Sequence, residues 1–177
     1  MDLMAQAEHD ELAQSILITD DQKFAEAVSD AVDHILTTLP RADIAGASWR
    51  GHGAIITVAN WQEGIAIANQ LAPEHLELAL SDAEAISQQI RHAGAIFIGA
   101  YTPEAVGDYI AGPNHVLPTS RTARFSSGLG VLDFMKRTTL VSCDSSALRQ
   151  IGSAAVHLAN AEGLDAHALS VSRRLNI

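Results

Sequence analysis

Short β-branched runs alternate with stretches of helical periodicity through most of this chain, and that alternation limits its fold more than any other feature. Ser15-Ile16-Leu17-Ile18-Thr19, Gly53-Ala54-Ile55-Ile56-Thr57-Val58, Leu76 to Leu80 and Ala95-Ile96-Phe97-Ile98 read as strands. After the first, Asp20 is placed to cap a helix carrying Phe24, Val28, Val32 and Ile35 on one face. Pro40 stops it, because a proline ring cannot continue the helical ladder. Asn60 caps an apolar helix to about Leu71. Ser81 and Asp82 open another, with Ala83, Ile86 and Ile90 at helical spacing. Thr102-Pro103-Glu104 is a further helix start with proline in the first turn. Parallel neighbours need a crossover connection, so strand and helix in alternation predict an α/β fold: a Rossmann-like layered unit with a largely parallel sheet.

The pattern breaks at Gly112-Pro113. From there to Gly130 the chain is rich in Gly, Pro, Ser and Thr and follows neither period, as functional loops often do. Thr138 to Ser142 is a fifth apolar run. Ser145 or Ser146 then caps a helix bearing Leu148, Ile151, Ala155 and Leu158, which Gly163 stops, and a short amphipathic end runs from Leu164 to Ile177. The expected organisation is an α/β unit over residues 1–129 and a C-terminal helical arm over 130–177, the arm packing on a partner subunit.

Composition narrows the function. The 177 residues are 47% hydrophobic and 18% charged, enough for one substantial core without long disorder. With 21 acidic residues against 11 Lys and Arg, the formal charge is −10, which removes the electrostatic basis for nucleic-acid binding. The single cysteine, Cys143, excludes an intrachain disulfide and a cysteine zinc knuckle, and within Leu140-Val141-Ser142-Cys143 it reads as a small core residue. No apolar run approaches the roughly 18 residues that span a bilayer. The start does not look like a cationic signal peptide, so a cytoplasmic protein is expected.

Four polar groupings stand out. Gln6 and His9 are spaced i, i+3, which places two metal donors side by side on a helical face. Glu74 and His75 fall between a helix and a strand, where α/β proteins gather site loops, and an adjacent Glu and His can divide acid and base work. Glu77, on the alternating strand that follows, is expected to face water. Asp108, Asn114 and His115 lie beside Gly112-Pro113 punctuation, and Glu162 and His167 flank the helix stop at Gly163. Each of these also has an ordinary reading as a solvated helix end or turn. Arg121, Arg124 and Lys136 supply local positive charge, and no glycine-rich phosphate motif occurs.

Read together, these segments resemble histidinol dehydrogenase. The likeness is carried by Asp2-Leu3-Met4-Ala5-Gln6-Ala7-Glu8-His9, Ala72-Pro73-Glu74-His75-Leu76-Glu77, Gly94-Ala95-Ile96-Phe97-Ile98-Gly99 and Tyr101-Thr102-Pro103-Glu104. It continues through Gly107-Asp108-Tyr109-Ile110-Ala111-Gly112-Pro113-Asn114-His115-Val116-Leu117-Pro118-Thr119, Thr122-Ala123-Arg124-Phe125-Ser126-Ser127 and Glu162-Gly163-Leu164-Asp165-Ala166-His167. The resemblance implies oxidation of L-histidinol to L-histidine through an enzyme-held aldehyde, with two NAD+ used in succession. It implies Gln6, His9 and Asp108 as zinc ligands and His167 as a ligand given across a homodimer interface, a mixed nitrogen and oxygen set that suits zinc. It implies Glu74 and His75 as the acid/base pair. Substrate contacts would come from His75, Asp108, His115, Glu162 and His167.

The same resemblance implies that the chain corresponds to the C-terminal portion of longer family members, with most of the NAD surface in the N-terminal portion. A split gene, an alternative start and a truncation would each give such a sequence, the first with a separate N-terminal chain as partner. Two readings follow: a zinc- and NAD-dependent dehydrogenase portion, or a non-catalytic remnant that serves as a dimerisation or zinc-binding module.

Overall fold

A computed structural model describes residues 1–176. Contacts divide the chain into two compact units, Met1–Phe134 and Met135–Ile177. The first opens with helix α1 (Asp2–Ala7), then strand β1 (Ile16–Thr19), helices α2 (Gln22–Leu36) and α3 (Ala42–His52), and strand β2 (Ala54–Thr57). Helix α4 (Trp61–Leu71), strand β3 (His75–Leu78), helix α5 (Ala83–Ser87), strand β4 (Ala95–Ile98) and helix α6 (Glu104–Tyr109) follow. The second unit is a hairpin of α7 (Ser145–Ala161) and α8 (Asp165–Leu175).

The class is α/β and every strand pair is parallel, but the strands form two ladders rather than one sheet. β1 pairs with β2, and β3 with β4. Strands of four residues each offer few ladder bonds, so helical packing carries much of each pair. Around the first ladder, Met4 and Ala7 of α1 pack with Val32 of α2 and Ala45 of α3, with Val28, Ile35, Leu36 and Trp49 against them. Those contacts cover the later turns of α2, which leaves Phe24, expected on the same inner face, 52% exposed in the first turn. The cap of α2 is Asp21 rather than Asp20. Its carboxylate accepts the N–H groups of Lys23 and Phe24 at 2.8 and 3.1 Å, the reach an N-cap needs. Helix α3 was not expected from sequence. It buries Ala45, Gly46 and Ser48, residues too small to draw an apolar stripe, and Ser48 Oγ donates to the Ala13 carbonyl at 2.8 Å.

Around the second ladder, Leu78 packs with Ala83 and Ile86, and Trp61, Ile65, Leu76, Leu80 and Ile96 close over them. Asn60 caps α4 as the sequence predicts, accepting the Glu63 N–H at 3.1 Å. Asn69, in the same helix, ties down the turn before β4: its Oδ1 accepts the Arg91 and His92 N–H groups, and its Nδ2 donates to the Gln89 carbonyl.

In the second unit Asp144, not Ser145 or Ser146, caps α7, accepting the Ala147 N–H at 2.7 Å. Gly163 makes the turn into α8 with φ +72°. The run Thr138 to Ser142 forms no strand and is exposed, and Cys143 is exposed as well, contrary to the core position expected for it. These residues take part in neither ladder, and without a strand edge an apolar run has no partner for its backbone groups. No helix among the described residues is long and apolar enough to cross a membrane.

Candidate active site

Strand β3 sorts its side chains by alternation. Leu76 and Leu78 enter the core shared with α5, which turns His75 and Glu77 to the opposite face. The register pairs His75 with Ala95 and Glu77 with Phe97. Pairing begins tightly: the Ala95 N–H donates to the Glu74 carbonyl at 2.8 Å, and a Cβ at Gly94 would stand 2.5 Å from that same oxygen. The backbone of Glu74-His75 is therefore fixed by a close approach that only glycine permits.

Helix α6 lies over this face. A Cβ on Gly107 would come within 2.3 Å of the Phe97 ring, so α6 sits against β4 at glycine distance. The Phe97 ring also contacts His75, with centroids 5.8 Å apart. At this spacing Glu104 and Asp108, one helical turn apart, both turn toward His75. His75 Nε2 lies 3.8 Å from Glu104 Oε1 and 3.8 Å from Asp108 Oδ1. Those distances exceed hydrogen-bond range, and Nε2 is sealed from water with no partner among the described residues. Glu77, expected to face water, instead points along the same face and accepts the Glu104 backbone N–H at 2.7 Å.

The carboxylates crowd one another. Burial raises the Glu104 pKa to about 7, with further push from a hydrogen bond to Asp108 and from the charges of Asp108, Glu77 and Glu74. Glu77 is raised as well, first by burial; the Glu104 N–H works against the shift and the Asp2 charge adds to it. The Asp2 effect places the start of α1 near this face.

Sequence reasoning singled out His75 and Asp108, and the structure brings them together with Glu104. Ligand atoms of these three side chains all lie within 4.8 Å of one another, a spacing that suits a cation. Glu74 precedes His75 and is half-buried. Gln6 is half-buried on α1, whose seat is set by buried Met4 and Ala7 and by the Ser15 hydroxyl donating to the Leu3 carbonyl at 2.7 Å. His9 lies beyond the last residue of α1, in a turn closed by its own N–H on the Gln6 carbonyl, so the pair straddles the helix end instead of sharing a helical face. His9 is exposed and outside the cluster, as is His115, in the irregular segment after α6. Glu162 and His167 belong to the second unit and are exposed there. Arg124, one of the cations noted in the irregular segment, donates to the Gln70 carbonyl at the end of α4 and anchors its loop.

Glu104 and Glu77 are the site residues that sequence reasoning passed over. The i, i+4 spacing of Glu104 and Asp108 was the available signal for the first, and the strict alternation His-Leu-Glu-Leu for the second.

A family model described as histidinol dehydrogenase matches residues 1–175. This chain belongs to the histidinol dehydrogenase family. The histidinol dehydrogenase of Rhodospirillum rubrum is 65% identical over 177 residues, covering 99% of this chain and 41% of that protein. That of Gluconobacter oxydans is 63% identical over 175 residues, with the same two coverages of 99% and 41%. The crystal structure of histidinol dehydrogenase from Elizabethkingia anophelis superposes with a TM-score of 0.83 at 37% identity, over 99% of this chain and 40% of that one. The chain thus spans about 41% of the length of the curated histidinol dehydrogenases it matches.

Proposed function

We propose that this chain carries the metal-binding and acid/base portion of a zinc- and NAD-dependent histidinol dehydrogenase, which oxidises L-histidinol to L-histidine through histidinaldehyde. One observation carries the reading: His75 Nε2, shielded from water and without a hydrogen-bond partner among the described residues, faces two carboxylates at 3.8 Å beside Glu74. An imidazole nitrogen held this way is free to take a proton from a substrate hydroxyl.

In the proposed cycle His75 accepts the alcohol proton at Nε2, and NAD+ when bound would take the hydride from the carbinol carbon. Glu74 then takes a proton from water as that water adds to the aldehyde, a second NAD+ would accept the hydride of the resulting hydrate, and the carboxylic acid so formed releases its proton to solvent as the carboxylate. His115, Glu162 and His167 orient the substrate. Gln6, His9, Asp108 and the His167 of a second subunit would hold zinc, and this oxygen and nitrogen donor set fits it. Of this set Asp108 lies in the cluster the structure brings together, where burial and the neighbouring carboxylates disfavour the charge on Glu104 and a cation would offset that crowding. Zinc would supply a Lewis-acidic anchor for the substrate amine and imidazole. The second unit would serve as an arm on a partner subunit in a cytoplasmic homodimer, and NAD would bind chiefly through the family's N-terminal portion.

Calorimetric titration of the chain with zinc, alone and with L-histidinol, tests the ligand set, and NADH formation after adding the N-terminal portion tests the reaction. Zinc binding that histidinol strengthens, followed by NADH formation, is expected. Zinc binding with no NADH from the combined portions would favour a metal-binding module without catalysis.

A further inference from the structure

We infer that Glu77 is a positioning residue whose carboxylate reaches from β3 to cap α6 and thereby holds Glu104 and Asp108 against His75. Helix α6 has six residues and no cap of its own, since Pro103 at the N-cap position makes no side-chain hydrogen bond. A helix this short does not persist without tertiary support, and its first N–H groups need acceptors. Glu77 provides one from a different element, with Oε1 2.7 Å from the Glu104 nitrogen across 27 residues of sequence.

The placement joins the site's two halves. Glu77 stands two residues from His75 on the same strand face, and the N–H it holds belongs to Glu104, whose own carboxylate lies 3.8 Å from His75 Nε2. Asp108 follows one turn later, also 3.8 Å from that nitrogen. Phe97, the register partner of Glu77, is the ring on which Gly107 rests. A strand carboxylate and a glycine contact thus locate the beginning and the far end of α6 relative to β3 and β4. Loss of the first leaves the helix start free to move, and both site carboxylates move with it. Burial disfavours the charge on Glu77, so an acidic side chain in this place is accounted for by the acceptor it provides.

This inference rests on the reading of His75 as the group that takes the substrate proton, and the test keeps the two separable. Amide exchange at Glu104 is followed in this chain with Glu77→Ala and Glu77→Gln. Turnover of L-histidinol and NAD+ is followed with the same variants combined with the family's N-terminal portion. Glu77→Ala is expected to speed Glu104 amide exchange by about tenfold or more. It should also lower kcat by about 10- to 100-fold while KM stays within about threefold. Glu77→Gln keeps an acceptor oxygen and should restore both. Unchanged Glu104 exchange in Glu77→Ala, or a glutamine variant as impaired as the alanine one, would overturn the assignment. If the unsubstituted protein makes no NADH from histidinol, the proposed function fails, and amide exchange alone still decides whether Glu77 holds α6.

Discussion

His75 is the first residue of a strand and the last stop of a loop, and both facts shape its chemistry. Strand pairing fixes its backbone, while the ring reaches past the ladder to the carboxylates of Glu104 and Asp108. Glu104 has a folded-state pKa near 7 against an ordinary value of 4.5, so the folded chain holds a proton that the unfolded chain releases between those limits. Its contribution to stability is complete below about pH 4.5 and is lost as pH rises through about 7. Thermal melts in the presence of chelator should therefore fall across that interval more steeply for the native sequence than for Glu104→Gln, which stays uncharged. Parallel curves would show that Glu104 titrates normally. Asp108→Ala and His9→Ala should each weaken zinc binding by about tenfold or more in calorimetry. Unchanged affinity in both would remove them from the ligand set. His75 and Asp108, which the structure brings together, stood out in sequence through the resemblance, since Glu74-His75 by itself reads equally as a solvated helix end. Glu104 did not, because a glutamate after Thr-Pro looks the same whether it only starts a helix or also faces a site.

At the level of elements, α6 is the piece on which the arrangement turns, because it contributes no buried residue and is seated by close approach. Gly107→Ala would drive a methyl group into the Phe97 ring, where only 2.3 Å is available. That overpacking should cost about 1–3 kcal/mol, read from denaturant melts, and should weaken zinc binding with it. Pairing the change with Phe97→Leu should recover part of the loss, and no recovery would mean the ring is not what Gly107 accommodates. The strands were legible from their β-branched runs, and α4 from Asn60 and its apolar spacing. Helix α3 escaped because Ala45, Gly46 and Ser48 pack closely without looking hydrophobic. The apolar run near Leu140 misled in the other direction: hydrophobicity marks a segment for burial, but the burying surface has to exist nearby.

For the molecule as a whole, the distribution of apolar surface is uneven. Phe125, Val131, Leu132, Phe134, Leu140 and Val141 are each more than three-quarters exposed within a short span of sequence. Exposed apolar side chains at that density favour association. The chain should sediment or scatter light as an oligomer at micromolar concentration, and a clean monomer would count against the proposed arm. The separation of the strands into two ladders was not readable in sequence, because strand pairing is a long-range choice. The alternation in β3 also limits how a gene for such a protein can vary. Removing or adding one codon within His75–Leu78 would put the residues on one side of the change onto the opposite face, turning His75 or Glu77 into the leucine layer or a leucine out of it. Length changes tolerated by the loops are therefore closed to this stretch, and lineages should differ here by substitution alone.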